Sequence, residues 1–254
     1  IDPFHLEAYG ETTVNYNRDV EIFPVLNTIF EKIYGESPYK SPTDMGVNMA
    51  GNCICDDEAC REASKQEIIR RYFDALNALA KGSTSEKEAQ KIELLMNMAG
   101  ITVTDRKVVI KALERAKETD GPAAALELRD GRIITGKTTN LLGASAALLL
   151  NVLKVLAGID HETHIISPES IEPIQKLKVD YLKSKNPRLH TDEVLIALSA
   201  SAATNPQARL ALSQLPELAG CQAHTSVMLS DVDIKIFKKL EVQLTSEAVY
   251  EHAL

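Results

Sequence analysis

The stretch Gly121-PAAALELRDGRIITGKTTNLLGASAALLLNVLKVLA-Gly158 decides the fold. Gly131, Gly136, Lys137 and Thr138 meet the pattern Gly-x4-Gly-Lys-[Ser/Thr] letter for letter. As a nucleotide-binding P-loop, its amides would cradle a phosphate, Lys137 would reach the outer phosphates and Thr138 would hold Mg²⁺. The same letters also spell a β-hairpin feeding a buried helix. Arg132-Ile133-Ile134-Thr135 contains three β-branched residues, which favour a strand over an anion-wrapping loop. Asp130-Gly131 between Leu126–Arg129 and Arg132–Thr135 is the signal of a type I′ turn. The apolar helix that follows starts at Gly143 or Ala144, too far from Lys137 to present its N-terminus to a phosphate. The hairpin is therefore the reading taken, with the motif match a coincidence of a hairpin turn and a strand end.

Working outward, residues 122–254 alternate strand and helix patterns. A hairpin over 123–137 and an Ala/Leu helix over 144–157 come first. A strand His164-Ile165-Ile166, a helix to Lys183, and helices from Thr191 and Asn205-Pro206 follow. A strand over Cys221–Leu229, a helix over Asp231–Leu240 and a strand over Val242–Thr245 close the chain. Residues 19–121 read as a helical domain. Asp19 caps a helix to Tyr34 with Ile22, Val25, Leu26, Ile29, Phe30 and Ile33 on its inner face. A helix over 57–80 buries Ile68, Ile69, Tyr72, Phe73, Leu76 and Leu79 and leaves Arg70 and Arg71 off the stripe. Ser85-x-x-Glu88 is a capping box for a third helix, and a fourth closes at Gly121-Pro122. Residues 1–18 form an irregular lead-in. Residues 36–56 form a loop long enough to suggest a function.

The chain has 254 residues, no Trp and a net charge of −8, with no basic block. That charge argues against nucleic acid and against a membrane surface as partners. No apolar run reaches membrane-spanning length. Three of the four cysteines, Cys53, Cys55 and Cys60, crowd together, and Cys221 is remote. This is a poor disulfide framework, so a reducing cytoplasm is expected. A zinc reading would need Cys221 or His224 as fourth ligand, and the spacing is not that of a knuckle. No cofactor is required by these residues. The first residue is not Met, so a fragment or a processed product is expected.

IDPFHLEAYGETTVNYNRDVEIFPVL, SPYKSPTDMGVN, EASKQEIIRRYF, DGRIITGKT, ISPESIEPIQKLKVD, KNPRLHTDEVLIALS, AATNP and LPELAGCQAH resemble an uncharacterised bacterial family, domain of unknown function 1846. The resemblance runs from the first residue to about Tyr250. It implies members about twice this long, with the present chain as their C-terminal half. The missing N-terminal half, P-loop-like, would then be the partner of this one. Some members carry a peptidase label, but neither His-Glu-x-x-His nor a nucleophile elbow is present. The resemblance further implies a helical domain followed by a three-layer α/β sandwich of cytidine-deaminase-like topology lacking the zinc motif. Where such deaminases carry His-x-Glu, this chain reads Gly143-Ala144-Ser145-Ala146. In place of the cysteine pair stand Glu169 and Glu172, two carboxylates on one helix face that suffice for helix-dipole placement and are two-thirds of a cation site at best.

The remaining chemistry lies in polar clusters that mix Arg or Lys with hydroxyls and amides, the groups that recognise phosphorylated metabolites. They hold Arg18; Lys40, Ser41, Thr43, Asp44 and Asn48; Arg70 and Arg71 beside Lys65; and Asn186, Arg188 and His190. Two functions are expected from different classes. One is binding of a phosphorylated small molecule or nucleotide. The other is a homo-oligomerisation module, with the apolar helix at 144–157 packing across subunits.

Overall fold

A computed structural model of the chain describes residues 16–39, Pro42, Met45 and 57–251, the side chains of 16–21, 57, 59 and 60 apart. It resolves into two compact units, Ile1–Arg106 and Lys107–Leu254, and the fold as a whole is mixed α/β.

In the first unit, α1 (Tyr16–Tyr34) opens before the expected Asp19 cap and carries Pro24 without ending. Its apolar stripe is not buried as the periodicity predicts: Val25, Ile29 and Ile33 face solvent at 58, 43 and 64% exposure. α2 (Asp57–Ala80) buries Ile68, Ile69 and Phe73 as expected. It also buries Arg70, which the stripe placed outside; a 2.7 Å ion pair to Glu67 makes that tolerable. α3 (Glu86–Ala99) begins after Ser85, yet the Ser85 side chain makes no cap bond, so the expected box does not close. Gly100 ends it at φ 65, donating to Asn97 and Met96 carbonyls. Arg106, fully buried, donates to Gln66 of α2 and closes the unit.

The second unit begins with α4 (Lys107–Thr119), which periodicity alone groups with the helices before it. Its buried Val108 and Ala112 pack with Ala125 of strand β1 (Ala123–Glu127). Ala124 and Leu126 point the other way, into the core that Leu148, Leu149, Val152 and Leu153 of α5 (Ala144–Leu156) supply. A strand covered on both faces reads as an unbroken apolar run, which is what Ala123–Leu126 is.

β1 pairs antiparallel with β2 (Ile133–Lys137), Leu126 opposite Ile134 and Ala124 opposite Gly136. The hairpin is thus as expected, its strands set one to three residues from the predicted pairing. The turn is not type I′. Asp130 does not adopt positive φ; only Gly131 does, at 82°. Gly131 N–H donates to Leu128 O and Leu128 N–H to Arg132 O, which is a three-residue loop with the glycine in the left-handed position. β3 (Gln222–Thr225) pairs antiparallel with the other edge of β1, and β4 (Gln243–Ser246) parallel with β3, giving the order β2-β1-β3-β4. β3 is shorter than the strand predicted over Cys221–Leu229.

No strand forms over His164-Ile165-Ile166. Thr163 is tied back to Asp160, and Pro168 opens α6 (Pro168–Lys176), which leaves no length to pair; the two isoleucines are buried in the core all the same. A π-helical turn, Leu177–Tyr181, follows α6. α7 (Thr191–Ser201), α8 (Pro206–Leu212, capped by Asn205) and α9 (Asp231–Lys239) complete the unit.

Candidate functional site

Strand pairing sets one end of the sheet apart. β2, β3 and β4 all finish there, because β1 runs against its two neighbours and starts at Ala123, opposite Lys137 and next to Thr225. Open α/β sheets place ligand sites outside the carboxyl ends of their strands. The segment leaving β2 folds on itself, with Thr139 Oγ1 accepting from the Leu141 and Leu142 amides. It is then zipped to the segment before α7: Leu142 bridges Leu189, Leu189 N–H donates to Leu141 O, and Gly143 N–H donates to Leu189 O. This brings His190, at the entry of α7, to the entry of α5. α9, which starts after β3, brings Ser230 and Asp233 to the same place.

There His190 Nδ1 lies 3.0 Å from Asp233 Oδ2. The Asp233 carboxylate is buried, and three further donors hold it. Thr191 N–H and Thr191 Oγ1 donate to Oδ1 at 2.9 and 2.8 Å, and Ser230 Oγ donates to Oδ2 at 2.7 Å. Burial by itself would raise the Asp233 pKa. The bonds from His190, the Thr191 backbone and Ser230 outweigh it and bring it down to about 2. The hydrogen bond to Asp233 in turn lifts the imidazole above the ordinary histidine value, against the opposing effect of its own burial. With Nδ1 committed to Asp233 and a third of the side chain exposed, Nε2 is the face that His190 offers outward. Behind it, Glu193 accepts from the His190 backbone N–H at 2.8 Å and from buried Lys178 at 2.7 Å; Lys178 also donates to Arg188 O. An imidazole held in this way serves anion binding and proton transfer alike.

Of the predicted residues, His190 is at this place, and Asn186 and Arg188 lie in the segment that leads into it. Asn186 Oδ1 accepts from Arg188 N–H, and the Arg188 guanidinium is held by Glu251 at 2.5 Å. Arg70 and Arg71 share Glu67 in the first unit, and Lys65 pairs with Glu62. Arg18 lies in α1, its side chain outside the described residues, as are Lys40, Ser41, Thr43, Asp44, Asn48, Cys53 and Cys55. Glu169 and Glu172 are exposed, and Glu169 bonds to its own helix start and to Ser167. Among the described residues, no three His, Cys, Asp or Glu side chains group as metal ligands. Cys221 is buried, and burial pushes its thiol up. His224, also buried, has Nδ1 2.8 Å from Thr245 Oγ1 and Nε2 3.3 Å from Glu247.

Asp233, Lys178 and Glu193 escape sequence reasoning. Ser230-x-x-Asp233 and Thr191-Asp192-Glu193 both look like local caps, and nothing local shows that Asp233 turns to a histidine 43 positions away.

The Gly131–Thr138 segment does not make a phosphate cradle. Lys137 ends a strand, and α5 starts only at Ala144. The amides of Gly131, Arg132 and Thr138 already donate to Leu128 O, Asp130 Oδ1 and Pro122 O. Gly136 has a separate reason to be glycine: a Cβ there would lie 2.2 Å from Leu148 N and 2.5 Å from Leu148 Cα. The motif's second glycine lets α5 lie directly on β2.

Comparison with known proteins bears on the whole chain. A family model described as domain of unknown function DUF1846, N-terminal, matches residues 1–100, and its C-terminal counterpart matches residues 104–254. A UPF0371 protein of Corynebacterium urealyticum is 59% identical over 98% of this chain and 50% of its own length. One of Corynebacterium aurimucosum is 60% identical over 98% of this chain and 50% of its own length. One of Streptococcus thermophilus is 54% identical over 99% of this chain and 51% of its own length. The chain thus spans about half the length of the curated relatives it matches. The expectation of a C-terminal half alone is corrected: the family's N-terminal model matches residues 1–100, so the chain carries matches to both of the family's domain models and not to the C-terminal one alone. On these matches, the chain belongs to the DUF1846 family.

Proposed function

We propose that this chain binds a phosphorylated small molecule or a nucleotide where β2, β3 and β4 end, with His190 as its principal contact. One observation carries the reading: Asp233, buried and fully bonded, holds His190 at 3.0 Å and favours its cationic form, while Nε2 remains outward at the start of an eleven-residue helix. A cationic imidazole at a helix N-terminus attracts an anion on two counts, through its own charge and through the helix dipole. A deaminase-like order of hairpin, helix, strand, helix, strand is met by the hairpin, α5, β3, α9 and β4 only with α6, the π-helical turn, α7 and α8 inserted between α5 and β3, where β3 takes the place expected of His164–Ile166. Gly143–Ala146 at the entry of α5 supplies none of a deaminase's ligands, so the reading is binding without zinc chemistry.

Isothermal titration against nucleoside phosphates and sugar phosphates tests it. Wild type is expected to bind at least one of them. His190→Ala removes a charge-assisted bond of about 1.5–3 kcal/mol and so weakens binding roughly 10- to 100-fold. Affinity is expected to fall as pH rises through the raised imidazole pKa. Absence of binding by wild type to every member of the panel overturns the proposal.

A further inference from the structure

Helix α5 is enclosed within its own unit rather than offered across subunits, Leu148, Leu149, Val152 and Leu153 being fully buried. Its first turn is buried as well, Ala144, Ser145 and Ala146 being 6, 3 and 0% exposed. Amides at these positions find no acceptor inside the helix, so a capping side chain, water or a ligand must meet them. The N-cap is Gly143, which has no side chain to offer. Among the described residues, no group accepts from the amides of Ala144, Ser145 or Ala146.

Ser145 is a second observation at the same place. Its Oγ has no hydrogen-bond partner among the described residues, not even the carbonyl four residues back that a helical serine can take. A hydroxyl left unbonded on a buried residue is costly, so native structures rarely keep one without a purpose. The Cα–Cβ bond in a helix tilts toward the N-terminus, which carries a hydroxyl at the second position toward the open amides. Leu141, Leu142 and Gly143 are only half-buried, so this helix start is approached along its axis.

His190 stands alongside. Leu142 and Leu189 bridge in parallel, and Gly143 N–H donates to Leu189 O. The two segments therefore leave the bridge in register, Gly143 beside His190, with Ala144 opening α5 and Thr191 opening α7. The positive ends of two helix dipoles are thus brought together. Open amides, an unbonded hydroxyl and an imidazole make an anion seat. A carboxylate or a phosphodiester offers two free oxygens, whereas a phosphate monoester offers three and carries nearly two charges, which suits this larger set of donors. We infer that the first turn of α5 seats a phosphate monoester, held by the amides of Ala144, Ser145 and Ala146 and by Ser145 Oγ, with His190 at its side. This rests on the anion-binding reading of the His190 site and adds the groups that grip the phosphate.

Nuclear magnetic resonance titration of the full chain with inorganic phosphate, methyl phosphate and dimethyl phosphate tests it. The amides of Ala144, Ser145 and Ala146 are expected to shift with the first two and not with the diester. Ser145→Ala is expected to weaken phosphate binding roughly 10- to 100-fold with unchanged far-ultraviolet circular dichroism. The wild-type amide shifts decide the matter even if that variant folds poorly. Binding of any phosphate compound that moves His190 and leaves these amides in place overturns this inference alone. So does a folded Ser145→Ala variant that binds as wild type does, or a preference for the diester. Failure of wild type to bind these probes and every nucleoside or sugar phosphate overturns the parent reading as well.

Discussion

Asp233 has both carboxylate oxygens engaged, Oδ1 by Thr191 and Oδ2 by His190 and Ser230. A fall from the ordinary 3.8 to about 2 is worth about 2–3 kcal/mol at roughly 1.4 kcal/mol per pKa unit. The sign follows from the direction. The lowered carboxylate stabilises the fold above its unfolded pKa near 3.8, and that contribution disappears as pH falls through about 2. The raised imidazole stabilises below its ordinary value of 6.5, and that contribution disappears as pH rises through the folded-state value. Both are present together between those two ordinary values. Asp233→Asn is therefore expected to cost about 2 kcal/mol in that window and less on either side, as read by urea melts at several pH values. His190 was visible in the sequence as a polar residue before a helix. Its partner was not, because a contact across 43 residues leaves no local pattern.

At the scale of elements, Gly136 and α5 carry the main lesson. Asp130-Gly131 and the β-branched Ile133-Ile134-Thr135 after it made the hairpin legible, and an Ala/Leu run made the buried helix legible. The turn class depended on the φ of Asp130, which composition does not set. Ile165 and Ile166 read as a strand by type and became buried loop, because Pro168 begins a helix too soon after them. Val25, Ile29 and Ile33 read as buried by spacing, but spacing tells where a stripe is and not what covers it. The glycine of Gly-Lys-Thr is explained by a helix at van der Waals distance, so the two halves of the motif should behave differently on substitution. Gly136→Ala forces β2 and α5 apart and is expected to destabilise by about 2–3 kcal/mol or more. Lys137→Ala, at an exposed strand end, is expected to change stability by less than about 0.5 kcal/mol and nucleotide affinity not at all. Chemical denaturation and titration calorimetry of the two variants check this. A P-loop requires the opposite, with Lys137 as the residue whose loss is felt.

For the molecule as a whole, the two units carry the family's two matched regions, residues 1–100 and 104–254. The family resemblance was legible in short segments spread over the chain, while the assignment to one half of the family was not, because segments alone do not show which domain model they satisfy. No described helix is long and apolar enough to cross a membrane. Candidate anion-binding groups lie in both units, Arg70 and Arg71 in the first and His190 in the second, so one measurement must survey the entire chain. Nuclear magnetic resonance titration of the full chain with nucleotide and with inorganic phosphate does so, following the His190 imidazole together with the amides of Gly131–Thr138. The account predicts that the His190 imidazole shifts on addition of ligand while those amides stay in place. Shifts along Gly131–Thr138 with His190 silent would contradict it.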